Sequence, residues 1–221
     1  MPPTIQVALI AVPLAAYLYA LGIFHGGKHP RVVAGPVDLA WLSFGLFGLV
    51  AFGPFGRVVV AATFGPAATP AGWLAWALLL AIMAACWTRT GRDRTVIYHA
   101  APEHAEAALV AALGDLGGAY VATLHGYEDR ATRTSILLRT SARTRTAVVD
   151  VQGDGAGAVA GRLRKALRVH LATIARPVST LSTAFFAASS LLMLAPVATF
   201  LALDPQGRRA IRAVARWLGW G

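Results

Sequence analysis

The chain has 221 residues, 57% of them hydrophobic and only 14% charged, where a soluble domain carries roughly 25% charge. Composition therefore excludes an ordinary soluble globular protein and makes a bilayer the expected solvent. The formal net charge of +10 would suit nucleic acid, but membrane proteins also gather cations beside their spans, and that cause is preferred here.

The charge is unevenly placed. Residues 89 to 176 hold thirteen cations against eight acids, and residues 204 to 221 hold four arginines against Asp204. The other 115 residues carry only Lys28, Arg31, Arg57 and Asp38. Charge thus marks the segments that meet water. A single cysteine, Cys86, excludes a disulfide framework or a cysteine-based zinc site within one chain. Arginine outnumbers lysine eighteen to two, a bias expected of a GC-rich bacterial genome, which makes the cell inner membrane the expected location.

The first apolar run, 4 to 24, has the ~20 residues a spanning helix needs. It lacks the charged n-region of a signal peptide, so a retained helix is expected, kinked at Pro13. HGGKHPR, 25 to 31, reads as a short basic loop. A second span is expected over 36 to 57, with Asp38 near one end and Arg57 after a Gly-Pro-Phe-Gly break; VVVAATFG then either extends a kinked helix or runs into GPAATP. The third, 71 to 88, places Trp73, Trp76 and Trp87 where interfacial aromatics belong.

From Arg89 the texture changes. RTVIYHA (94 to 100) is strand-like, and 102 to 117 carries Ala105, Ala108, Leu109, Ala112, Leu113 and Leu116 at helical spacing, with Pro102 suited to the first turn and Gly117 to the cap. Strands are predicted at 119 to 126, 134 to 140 and 146 to 152, joined by GYEDRATR and SARTR. A second helix is predicted near 157 to 174. This βαβββα order fits a small two-layer α/β sandwich over 89 to 176, with two helices on one face of a mainly antiparallel sheet. A fourth span follows at 177 to 203, then a basic amphipathic tail, 204 to 221. The expected fold class is an α-helical polytopic membrane protein of about four transmembrane helices with an inserted α/β domain. The hydroxyls Thr180, Ser182, Thr183, Ser189 and Ser190, and the small Gly45 and Gly48, are expected to serve helix packing.

Arg89, Arg92, Arg94 and Arg176 flank the domain and place it in the cytoplasm. HGGKHPR falls on the same side; the tail of a fourth full crossing does not, unless that segment is re-entrant near Pro196.

Four constellations invite a chemical reading. VVDVQGDGAGAVAGRL (148 to 163) has the strand, glycines and helix of a phosphate loop, but no second parallel strand and ribose-binding acid can follow it, and no G-x-x-x-x-G-K-[ST] occurs. Arg162, Arg164, Lys165 and Arg168 make a basic helix face that could contact anionic lipid or an acidic partner; the plainer account is a solvated face. His25 with His29, and His99 with His104 near Glu103 and Glu106, lack the convergence a metal needs. Arg57 and Asp38 are costly near a membrane interior, with snorkelling or capping the plainer account.

No catalytic residue, cofactor or metal is assigned. The expected function is that of a non-enzymatic membrane protein whose cytoplasmic domain is an interaction or regulatory module. Its expected partners are the lipid bilayer and membrane proteins or further copies of the chain, not nucleic acid. Two alternatives stand beside it. One is a small transporter or channel subunit; the other is a membrane-embedded enzyme acting on lipid through Arg57, Asp38 or a histidine.

Overall fold

In a computed structural model, which describes residues 3–65, 70–124, 126–129, 133–174 and 179–217, the chain is mostly helical with one small antiparallel sheet. Among the described residues four helices are long and apolar enough to cross a membrane: α1 (Pro3–His25), α2 (Gly35–Phe52), α4 (Pro70–Thr90) and α7 (Thr180–Leu203). Two shorter helices accompany them, α3 (Pro54–Phe64) and α8 (Pro205–Trp217). The GPAATP connection lies largely outside the described residues, as do 130–132 of GYEDRATR, 175–178 before α7 and 218–221 of the tail.

The chain falls into two compact units. The first comprises residues 1–20, 42–83 and 185–221. Here α1 continues through Pro13 without interruption. The expected second span ends at Phe52, because Gly53 is extended and Pro54 opens α3, proline being suited to the first helical turn and not to an interior. Close packing joins α1 to α2: a Cβ on Gly48 would run into the Leu9 carbonyl, and one on Gly45 into the Tyr17 ring. Ser189 donates to the Ala15 carbonyl at 2.9 Å, joining α7 to α1. Such small-residue approaches and interhelical hydroxyl bonds are what hold helices together in an apolar solvent.

The second unit comprises 21–41 and 84–184. It holds a six-stranded sheet: β1 (Arg31–Ala34), β2 (Arg94–Tyr98), β3 (Tyr120–Thr123), β4 (Gly126–Asp129), β5 (Thr134–Ser141) and β6 (Thr146–Gly153). The order is β1-β2-β6-β5-β4-β3, every pair antiparallel. Two helices, α5 (Pro102–Leu116) and α6 (Ala156–Ala172), cover one face. Period-2 register explains the core. Val32 lies opposite Ile97, Ile97 opposite Ala147, and Ile136 opposite Val151, so all point to one side and meet Leu109, Leu113, Leu163 and Leu167 of the helices.

The sheet differs from the sequence expectation at both edges. The single strand expected at 119 to 126 is the hairpin β3–β4; Gly126, at φ +151°, passes so close to Ile136 that a Cβ would overlap its carbonyl oxygen. At the other edge β1 comes from the connection between α1 and α2, pairing Arg31 with Tyr98 and Ala34 with Thr95. The run RVVA is too short to read as a strand by itself; its partner β2 lies some sixty residues further on.

Candidate functional site

The glycine turn is built by conformation. Gly153 ends β6 at φ +109°, and Gly155 caps α6 in the left-handed region at φ +77°, which glycine adopts without a Cβ clash. Its surroundings are acidic. A groove of about 470 Å³ beside the turn is lined by Asp93 and Asp150 along with Arg94, Gln152 and Gly153, and a Cβ on Gly157 would sit 3.3 Å from the Asp93 carboxylate. Asp93 therefore complements the positive end of α6, the place a phosphate would otherwise take. Beyond α6 the chain passes to α7, not to another strand of the sheet.

The four cations of α6 do not share one surface. Arg164 and Arg168 turn toward β1 and β2. Arg164 donates to the Thr95 hydroxyl and the Arg94 carbonyl, each at 3.4 Å, and Arg168 to the Val32 carbonyl at 3.4 Å. Burial, and secondarily the neighbouring Arg168, lowers the Arg164 pKa from its ordinary value, while Asp93 works in the opposite direction. Arg162 lies on the other flank, close enough to Tyr120 to act on its ionisation. Lys165 is exposed on the crown between them. A helix advancing 100° per residue spreads positions 162, 164, 165 and 168 around most of its polar arc.

The histidines regroup across the two sequence clusters. His25, at the end of α1, is buried with its ring 5.4 Å from Tyr98, edge to face, and lies near His99. Phe24 packs on the same Tyr98 at 5.1 Å, and the Tyr98 hydroxyl donates to the Asp38 carboxylate of α2. His99 is fully buried at φ +62°, a conformation that costs a β-carbon-bearing residue about 1–2 kcal/mol. His29 instead reaches the Ile174 carbonyl at 3.3 Å, and His104 stands beside Glu103 at 3.6 Å. Among the described residues no three metal-ligating side chains converge. The resulting junction, Phe24, His25, Asp38, Tyr98 and His99, fixes the helix ends of this unit onto the uncovered face of β2. In the sequence these residues stand in three separate places, and no local signal joins them.

Asp150 forms the polar centre of that same face further along the sheet. It lies 3.9 Å from Arg94 and pairs with Arg139 across β5–β6. At the β3–β4 end, Leu124 is 97% exposed, beside a groove of about 730 Å³ lined by Glu106, Leu124, Tyr127, Leu138 and Arg139 among others.

No protein-family model, curated protein or solved structure matches this chain.

Proposed function

We propose that this is a non-enzymatic integral membrane protein with four transmembrane helices, whose two-layer α/β domain lies in the cytoplasm and acts as an interaction or regulatory module. The observation that carries the reading is β1. A strand drawn from the α1–α2 connection pairs in register with β2, and Tyr98 of β2 donates to Asp38 at the start of α2. A domain attached by flexible linkers can move without consequence for its anchors. This domain takes one edge strand from the helix connection itself, so an event on the sheet is passed to α1 and α2 through hydrogen bonds rather than slack chain. The exposed β3 edge and Leu124 supply a surface for a partner, since an open strand edge invites pairing.

The experiment is in-membrane photocross-linking of the full chain at native abundance, with a photoreactive residue replacing Leu124 and, as comparison, Arg143. A discrete adduct at 124 and none at 143 is the expected result. A chain that is monomeric and adduct-free at both positions overturns the module reading.

A second reading, an enzyme acting on lipid, draws on the junction of His25, His99, Tyr98 and Asp38. It requires that Asp38→Asn abolish turnover of added phospholipid while the fold is retained.

A further inference from the structure

Arg57 is expensive where it stands. It belongs to the first turns of α3, and the other charged residues of its unit, Asp204 and the arginines of α8, all lie beyond residue 203; a guanidinium among apolar helices requires partners. It has one. Arg57 donates to the Gln6 side-chain oxygen, and the Gln6 amide in turn donates to the Phe52 carbonyl at 2.7 Å. Phe52 is the last residue of α2, so its carbonyl is one that the helix itself leaves unsatisfied. Gln6 thus ties the α2–α3 break to α1 and fixes the guanidinium. Among the described residues no carboxylate pairs with Arg57, and the Gln6 bond uses one of its five N–H groups.

The fixed cation faces a cleft. A cavity of about 710 Å³ is lined by Gln6, Phe52, Arg57, Trp73, Leu74 and Ala77, with Pro70 at its margin. Its walls are mainly apolar, and two of the lining rings, Phe52 and Trp73, stack on each other with centroids 6.1 Å apart and planes 25° apart. Apart from Gln6, Arg57 and the indole N–H of Trp73, the described lining residues are apolar. Ligand sites have this form: several hundred Å³ of apolar wall with a few placed polar groups.

We infer that this cleft binds an anionic amphiphile, its acyl chain against Phe52, Trp73 and Leu74 and its carboxylate or phosphate on Arg57. Charge complementarity selects the head, because a guanidinium bonds an anionic oxygen about twice as strongly as two neutral groups bond each other. The apolar walls select the chain. Phosphatidylglycerol of the bilayer and a free fatty acid share this chemistry. The inference is independent of what the α/β domain does.

The test uses the full chain in phosphatidylcholine bilayers, with the Trp73 fluorescence obtained as the difference between the wild-type chain and Trp73→Phe. Phosphatidylglycerol with brominated acyl chains is expected to quench Trp73 at about a tenfold lower mole fraction than brominated phosphatidylcholine, a difference of ~1.4 kcal/mol. Arg57→Gln removes the preference, and Arg57→Lys keeps part of it. Relief of quenching by unbrominated palmitate identifies a single-chain occupant; absence of relief identifies the bilayer lipid. Both keep the site. Equal quenching by the two brominated lipids, or a preference unchanged in Arg57→Gln, overturns it and leaves Arg57 as a snorkelling cation. Should Arg57→Gln not fold, the wild-type comparison still decides.

Discussion

Among single residues, Tyr120 and the two glycines Gly153 and Gly155 have directly measurable consequences. Burial first, then Asp129, raises the Tyr120 pKa above its ordinary value of 10, and Arg162 opposes them. The folded chain therefore holds the phenolic proton more tightly than the unfolded one. The sign follows: this contribution to stability is complete below pH 10 and is lost as the pH rises through the folded value. Tyr120→Phe should flatten the alkaline decline of stability, read by thermal unfolding at several pH values; identical declines in both chains would reject the account. The glycine turn supplies the second position. Gly153→Ala meets both the left-handed φ and the Arg133 carbonyl, and should cost about 1–3 kcal/mol. Gly155 has the same φ sign but open space around its Cβ direction, so Gly155→Asn should stay within about 0.5 kcal/mol. Glycine content was visible in the sequence; which glycine is indispensable was not, because the Arg133 backbone comes from a different strand connection.

At the scale of elements, helices were more legible than strands. The spacing of Ala105, Ala108, Leu109, Ala112, Leu113 and Leu116 marks the inner stripe of α5; the first five are buried and Leu116 is partly buried. Helix contacts repeat every three to four residues within one segment, so the pattern is local. Strand pairing is not local, and it misled at β3–β4. The β5–β6 turn carries its own test. Arg145 sits at φ +50° while its carbonyl accepts the Ala100 N–H at 3.0 Å. Arg145→Gly should leave that bond in place and relieve the left-handed cost, stabilising the domain by up to about 1 kcal/mol; a lowered melting temperature would contradict this. The tail shows the same element logic. Asp204 accepts the Gln206 N–H at 2.8 Å and Pro205 follows it, so α8 starts from a fixed cap with no slack after α7. Asp204→Ala should lower protection of the first α8 amides in hydrogen exchange, by the ~1 kcal/mol typical of a lost cap.

At the scale of the whole molecule, β1 distinguishes a domain built from helix ends from one inserted between spans. Val32 is 9% exposed and lies opposite Ile97 in the domain core. Val32→Asp places an unpaired charge there and should cost 3–5 kcal/mol, of the order of breaking a buried pair. Limited proteolysis checks the consequence: cleavage should appear in the α1–α2 connection and in 84–184 together. Cleavage confined to the connection would mean that the sheet does not depend on β1.

The amino-acid order alone shows four segments apolar and long enough to cross a bilayer, a charged stretch of mixed strands and helices that interrupts them, and the amphipathic face of α5. Each of those properties is a sum or a period over adjacent residues. Folding is needed to bring RVVA into the sheet, His25 onto Tyr98 beside His99, Arg168 to the Val32 carbonyl, and Gln6 to Arg57 at an apolar cleft. These are pairings between residues 51 to 136 positions apart. Composition and spacing leave such pairings open, because chain closure brings distant residues together only when the whole core forms.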